Sequence, residues 1–224
     1  MTHIGPALPS PFVVSWSGGK DSCLALDRVL AAGSHCLGLI NMLDAAGVRS
    51  RSHGLRPEVI EAQASSLGLP LSTGRAGWDT YETAFKTLLT SARDAGARAV
   101  VFGDIDLQDH RDWEERVCAE VGLVPVLPLW LEARGPLVRE VLDRGWRTRI
   151  VAVREERLSA DLLGRELDGE TLTEIGRQGA DLCGEEGEYH SVVVGGPRFR
   201  VDLDLLPGEI HREGGVATLD LRLA

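Results

Sequence analysis

Apolar and polar positions along the first two thirds of this chain switch between two patterns. Short apolar runs (Phe12-Val13-Val14, Cys36 to Ile40, Ala99 to Phe102 and Val124 to Leu127) predict strands, and Leu69 to Thr73 reads as a further strand among them. Between them lie stretches with apolar residues at helical spacing. The first has Cys23, Leu26 and Leu30 on one face. The second has Val59, Ile60 and Leu67 between Pro57 and Gly68, and the third has Tyr81, Ala84, Phe85, Leu88 and Ala92 before Gly96. A fourth runs from about Arg111 to Val121, and Asp79 with Glu82 predicts a capping box for the third. Strands alternating with helices at this spacing predict an α/β fold, a parallel sheet with helices on both faces and ligands at the carboxyl ends of its strands.

The pattern then changes. A helix is expected from Pro136 to near Gly145, a strand from Thr148 to Val153 and a helix from Glu170 to Ala180. Past His190 the period becomes two: Phe199, Val201, Leu203 and Leu205 alternate with charged residues, and so do Leu219, Leu221 and Leu223. Two half-exposed antiparallel strands are expected, with Gly195-Gly196-Pro197 as the turn before the first. The organisation read from this is a loose tail over residues 1–11, an α/β domain over 12–145 and a smaller α+β domain with antiparallel strands over 146–224.

The chemistry concentrates in two places. Ser17-Gly18-Gly19-Lys20-Asp21-Ser22 falls on the turn from the first strand to the first helix. Glycines there let the backbone approach an oxyanion, the helix amides point at it, and the helix dipole favours negative charge. Asp21 can hold a magnesium ion bridging phosphates. A Walker A loop is excluded, because Asp21 replaces the required hydroxyl and Val14 stands where its first glycine belongs. Only Lys20 and Lys86 are lysines in a chain otherwise supplied with arginine, so the compact ammonium at this turn is a choice against the broad guanidinium fork.

The second cluster is Cys183-Gly184-Glu185-Glu186-Gly187-Glu188-Tyr189-His190-Ser191, with three carboxylates and a histidine between glycines. Such a segment faces either water or a ligand. Asp104 follows the fourth strand and joins the first cluster at the strand ends. Arg51 and His53 serve equally as pocket lining or as part of a solvated loop, His110 and Arg111 equally as site residues or helix caps, and Trp113 and Trp130 read as packing.

With 224 residues, 43% hydrophobic and 26% charged, the chain can bury a sizeable core, and its net charge of −10 argues against a large nucleic-acid footprint. No apolar run approaches membrane-spanning length, and Met1 to Pro11 has neither the basic start nor the apolar core of a signal peptide. Cys23, Cys36, Cys118 and Cys183 show no metal spacing and point to reduced thiols in the cytoplasm.

The Ser17–Ser22 segment resembles the SGGxDS loop of the N-type ATP pyrophosphatases (PP-loop enzymes). Paired with Gly184 to Ser191, it is similar to the diphthine-ammonia ligase family among them. Further matching stretches are Gly103-Asp104-Ile105, His110-Arg111, Trp113 to Cys118, Pro128-Leu129-Trp130 and Leu163-Gly164-Arg165, so the resemblance runs from Phe12 to about Phe199. It implies an adenine nucleotide alpha-hydrolase-like fold, ATP and Mg2+ as cofactors, adenylation of an acceptor carboxylate and attack by free ammonia. The acceptor implied is diphthine on elongation factor 2, or otherwise another small-molecule or protein carboxylate. On that basis Ser15, Ser17, Gly18, Gly19, Lys20, Asp21, Ser22 and Asp104 are expected to bind nucleotide. Lys20, Asp21, Glu185, Glu188 and His190 are expected to act in catalysis, with Glu188 or His190 as base and Asp21 with Glu185 on the metal. The alternatives are a PP-loop tRNA-modifying enzyme, which calls for a basic face and a cysteine pair, and a non-catalytic ATP-binding sensor.

Overall fold

The computed structural model describes residues 9–224, so most of the expected tail, residues 1–8, lies outside the described residues. The chain forms β1 (Phe12–Ser15), α1 (Lys20–Ala31), β2 (Cys36–Leu43), α2 (Pro57–Leu67), β3 (Leu71–Arg75), α3 (Tyr81–Asp94), β4 (Ala99–Val101), α4 (Gln108–Val121) and β5 (Val124–Val126). Then come α5 (Arg134–Asp143), β6 (Arg147–Arg154), a 3-10 turn at Ala160–Leu162, α6 (Gly169–Arg177), β7 (Tyr189–Gly195), β8 (Leu205–Glu213) and β9 (Val216–Leu223). The first five strands make a parallel sheet of order β3-β2-β1-β4-β5. The last four make an antiparallel sheet of order β7-β6-β9-β8. No helix among the described residues is long and apolar enough to cross a membrane.

Strand order reverses at β1, which lies between β2 and β4, and a crevice opens beyond the carboxyl ends of β1 and β4. One apolar cluster runs from β1, α1 and α2 through α5 into β6, β7 and β9, so the two sheets share a core. A second cluster packs Phe85 and Leu89 of α3 and Val117 and Cys118 of α4 against the other face of the parallel sheet. Charged pairs tie the halves further: buried Asp27 of α1 receives Arg144 at 2.8 Å and also Arg198, while Asp220 of β9 receives Arg49 at 2.6 Å and Arg56 at 2.7 Å. Those last two pairs pin the segment between β2 and α2 and bring His53 and Arg51 to the crevice.

Three sequence expectations give way here. Residues 199–204 are not a strand: they form an extended strap in which the Arg200 and Val201 amides bond Ser66 of α2 and the Leu203 amide bonds Val194. Its alternation is real, with Phe199 edge-on to Trp146, but Val201 is 72% exposed and the single bond to Val194 of β7 makes no strand ladder. The hairpin is instead β8–β9, turned at Gly214-Gly215, both at positive φ, as a two-residue turn requires. Pro207 and Gly208 broke the alternation of β8 in the sequence, and a register shift falls at that point. Finally, Asp79 and Glu82 form no capping box; Thr80 precedes α3 without a side-chain cap, and Glu82 pairs with Lys86 and Arg116.

Gly103, just after β4, fixes how closely β4 approaches α1. A Cβ there would lie 2.7 Å from the Ser22 nitrogen and 2.8 Å from the Asp21 carbonyl carbon, both backbone atoms with nowhere to move. Gly103→Ala is therefore expected to lower stability by about 1–3 kcal/mol in a urea titration, the usual cost of overpacking. It should also displace the first turn of α1.

Candidate functional site

The Ser17–Ser22 turn takes its shape from groups the local sequence does not contain. Gly18 has φ +84, and a Cβ on it would press on the Gln63 side chain. Gln63 of α2, fully buried, donates from Nε2 to the Gly18 carbonyl at 2.9 Å and to the Val193 carbonyl at 2.7 Å, and accepts from Trp16 Nε1 at 2.9 Å. The Val193 amide donates to the Gly18 carbonyl at 2.9 Å, so β7 is laced to the turn. Gly19 ends the turn against His53, whose Cε1 would stand 2.2 Å from an added Cβ. At the start of α1 the Gly19 amide donates to Ser17 Oγ at 3.3 Å and the Lys20 amide to Ser191 Oγ at 3.2 Å. The next amides, of Asp21 and Ser22, have no carbonyl within the helix to bond, as at any helix start.

A cavity of about 930 Å³ opens over this turn. Ser15, Ser17, Lys20, Asp21 and Ser22 line one side, Asp104 another, and Glu185 and His190 face them from the second sheet and the loop before it; Gly18 and Gly19 shape the turn beneath. Lys20 is only 3% exposed. Its Nζ is 2.8 Å from Asp21 Oδ2 and 4.0 Å from Glu185 Oε1, and lies 5.3 Å from the centre of the Tyr189 ring. Burial opposes its charge, yet Asp21 and its neighbours hold the Lys20 ammonium above the ordinary lysine range. Burial raises Asp21 despite Lys20, and burial with the Asp21 charge pushes Glu185 up to about 7. Glu185 is thus a carboxyl poised to exchange a proton near neutrality.

Glu188 departs from the expected role. It is 0% exposed and lies off the cavity, where Oε1 accepts the Asp181 amide and Oε2 the Glu186 amide, each at 3.0 Å, with Arg157 at 3.5 Å. A carboxylate so placed braces the loop that presents Glu185. Gly184 and Gly187, both at positive φ, let the loop turn tightly here, while the partners across it decide the directions: Lys20 for Glu185, and the Asp181 and Glu186 amides for Glu188.

His190 does line the cavity, stacked on His53 with ring centres 4.7 Å apart. His53 Nδ1 bonds the Ser191 carbonyl at 2.8 Å. Burial and then His190 lower His53 to about 3, and burial followed by Lys20 and Arg154 lowers His190 to about 4. Both values lie below the ordinary 6.5, so the unfolded chain takes up these protons first as pH falls. Their stabilising contribution is complete above about 6.5 and is lost as pH falls toward 4 and below. We expect urea unfolding to show an acid loss between pH 7 and 4.5 that His190→Asn reduces by on the order of 1–2 kcal/mol.

Trp113, read from the sequence as packing, and Arg51, left open between pocket and solvated loop, both line the cavity, together with Trp78, Tyr81, Asn41 and Glu114, which the sequence did not single out. Trp78, Tyr81 and Trp113 form an aromatic wall, with Tyr81 5.9 Å from Trp113 and 6.4 Å from Trp78. Asn41 donates to the Trp16 carbonyl at 2.7 Å while its Oδ1, buried, has no partner among the described residues. Arg51 lies 3.7 Å from the centre of the Trp78 ring with Nε and Nη2 likewise unpartnered. Glu114 is buried on α4 beside Asp104, which also bonds His110 at 2.8 Å. The legible signals were polar residues on apolar stripes: Gln63 falls in line with Val59 and Ile60, and Glu114 with Val117, Cys118 and Val121.

This chain is similar to known proteins along almost its whole described length. It is 24% identical to the diphthine–ammonia ligase of Danio rerio, over 90% of this chain and 89% of that protein. It is 29% identical to that of Rattus norvegicus, over 87% and 83%, and 27% identical to that of Homo sapiens, over 82% and 78%. Residues 11–125 match the diphthamide synthase N-terminal domain and residues 134–221 the diphthamide synthase C-terminal domain. With both matches covering the cavity's two walls, the chain belongs to the diphthamide synthase family.

Proposed function

We propose that this protein is an ATP-dependent ligase that converts an acceptor carboxylate to an acyl-adenylate, releasing pyrophosphate, and then amidates it with ammonia. The observation that carries this reading is the buried Lys20 ammonium, held between Asp21 and Glu185 at the start of α1 on the cavity wall. Relatives named diphthine–ammonia ligases point to diphthine as the acceptor and ammonia as the nitrogen donor. Four free, buried cysteines suit a cytoplasmic setting. They do not suit the thiol-dependent alternative, since burial pushes the thiols up, to about 11 at Cys36 and about 12 at Cys118 and Cys183.

The residues have work matched to that reaction. A carboxylate does not react with ammonia until it carries a good leaving group, and the charge growing on pyrophosphate has to be stabilised in a site poor in water. The Asp21 and Ser22 amides, the Ser17 and Ser22 hydroxyls and the Lys20 ammonium supply that stabilisation without reorganising. Asp21, Glu185 and Cys183 place one donor atom each within 4.8 Å of one another. The two carboxylate oxygens fit magnesium, and the protonated Cys183 thiol does not. Asp21 would hold that ion, which when bound offsets phosphate charge, and Glu185 across from it is left free to exchange its proton. Glu185, near 7, is the group to receive a proton from the attacking nitrogen, and His190 stays neutral as a hydrogen-bonding neighbour.

The test is incubation with ATP, magnesium, ammonium chloride and diphthine-bearing elongation factor 2. AMP and pyrophosphate should appear in step with amide. ADP and inorganic phosphate as the only nucleotide products would rule the reading out.

A further inference from the structure

One part of the cavity wall carries a buried carboxyl group with no internal reason to be there. Glu114 occupies a place on the inward stripe of α4 otherwise filled by Val117, Cys118 and Val121, and is 4% exposed. Its carboxyl adjoins that of Asp104, while its Oε2 has no partner among the described residues and the side chain lines the cavity. Of the nearby basic groups, His110 bonds Asp104 from its outer side, Arg116 and Lys86 pair with Glu82, Arg111 pairs with Glu115, and Arg51 lies over the Trp78 ring; none is paired with Glu114 among the described residues. Tyr81 and Trp113 line the same cavity as the two carboxyl groups, burial and then the charge of those carboxyls raise the Tyr81 hydroxyl, and the Trp113 ring is fixed by its Nε1 bond to Glu82 at 2.9 Å. Burying a carboxyl without a partner is costly, and its usual remedy is a proton or a cation. Here burial and the adjoining Asp104 charge push Glu114 up to about 11, so without a cation it keeps its proton.

We propose that Asp104 and Glu114, with Tyr81 and Trp113 lining the same cavity, form a subsite for an ammonium-type cation, and that its occupant is the nitrogen donor. Two carboxyl groups accept N–H hydrogen bonds, and aromatic faces attract a compact cation through their negative π surface. The subsite stands on this geometry alone; only the identity of its occupant rests on the amidation reading above. It gathers ammonium into the same cavity as the Ser17–Ser22 turn.

The experiment is a titration of the tryptophan fluorescence of the full chain, without ATP or acceptor. Ammonium chloride and tetramethylammonium chloride are compared at constant ionic strength with potassium chloride, whose cation is similar in size to ammonium but donates no hydrogen bonds. Ammonium should saturate where potassium does not. Glu114→Gln and Asp104→Asn should each weaken it at least ~10-fold, and Glu115→Gln on the outer face of α4 should leave it within about twofold. Saturation by tetramethylammonium alone would overturn the nitrogen donor as occupant, in favour of an alkylated ammonium carried by the acceptor. No saturation by either cation in the parent chain, or a response to adenosine alone, would overturn the subsite. Because no turnover is involved, that failure is separate from a failure to form AMP.

Discussion

Lys20→Met should lower AMP formation by ~100- to 1000-fold, the range for removing one preorganised group from a site of developing negative charge. Lys20→Arg, which keeps the charge, should still cost at least ~10-fold, or about 1.4 kcal/mol of transition-state stabilisation. The reason is space. The side chain is 3% exposed, with Asp21 at 2.8 Å, Glu185 at 4.0 Å and the Tyr189 ring alongside, and a planar fork needs room that these neighbours occupy. Single-turnover release of AMP measures the effect. An arginine variant with parental kinetics would show that Lys20 does not touch the phosphates.

Glu185→Gln should lower amide formation at neutral pH by ~100-fold or more while leaving the fold intact, and the contrast with Glu188→Gln makes the result diagnostic. Burial, and then the Asp21 charge, hold Glu185 near 7, above an unfolded carboxyl. The folded state therefore binds the extra proton, and stability drawn from Glu185 is present below about 4.5 and lost as pH rises through 7. An amide cannot ionise, so Glu185→Gln should melt no lower than the parent at pH 8, and the rise of activity with pH near 7 should flatten. Glu188→Gln reverses the pattern. It removes an acceptor from a backbone amide in a fully buried place, which costs about 1–3 kcal/mol, and activity should fall only as far as the loop loosens. Thermal melts and pH–rate profiles of both variants separate the two roles. Equal losses of stability would return both residues to the loop.

What the sequence settled by itself was local in character. The turn at Ser17–Ser22 declared itself because backbone approach demands glycine and an anion site demands donors within a few residues, and Gly18 indeed takes positive φ there. The parallel sheet was legible because strands buried on both faces are largely apolar, as β4 and the leading residues of β1 and β2 are. The terminal hairpin was misread because Phe199 to Leu205 alternates for contact with α2 and Trp146, whereas β8 owes its strand conformation to pairing with β9 through the Gly214-Gly215 turn. Periodicity reports which side of a segment is covered, not what covers it.

The tertiary structure alone decided which members of the second cluster serve the cavity. Glu185 and Glu188 are equivalent in the sequence, three residues apart between glycines, yet one faces Lys20 and the other turns inward to bond backbone amides. Nothing in a local pattern separates them, because the difference lies in what stands opposite: Lys20 across the crevice from one, Arg157 and the loop's own amides around the other. Gln63 was hidden for the same reason. It reads as a lone polar residue until folding brings the Gly18 and Val193 carbonyls to it, from 45 and 130 residues away.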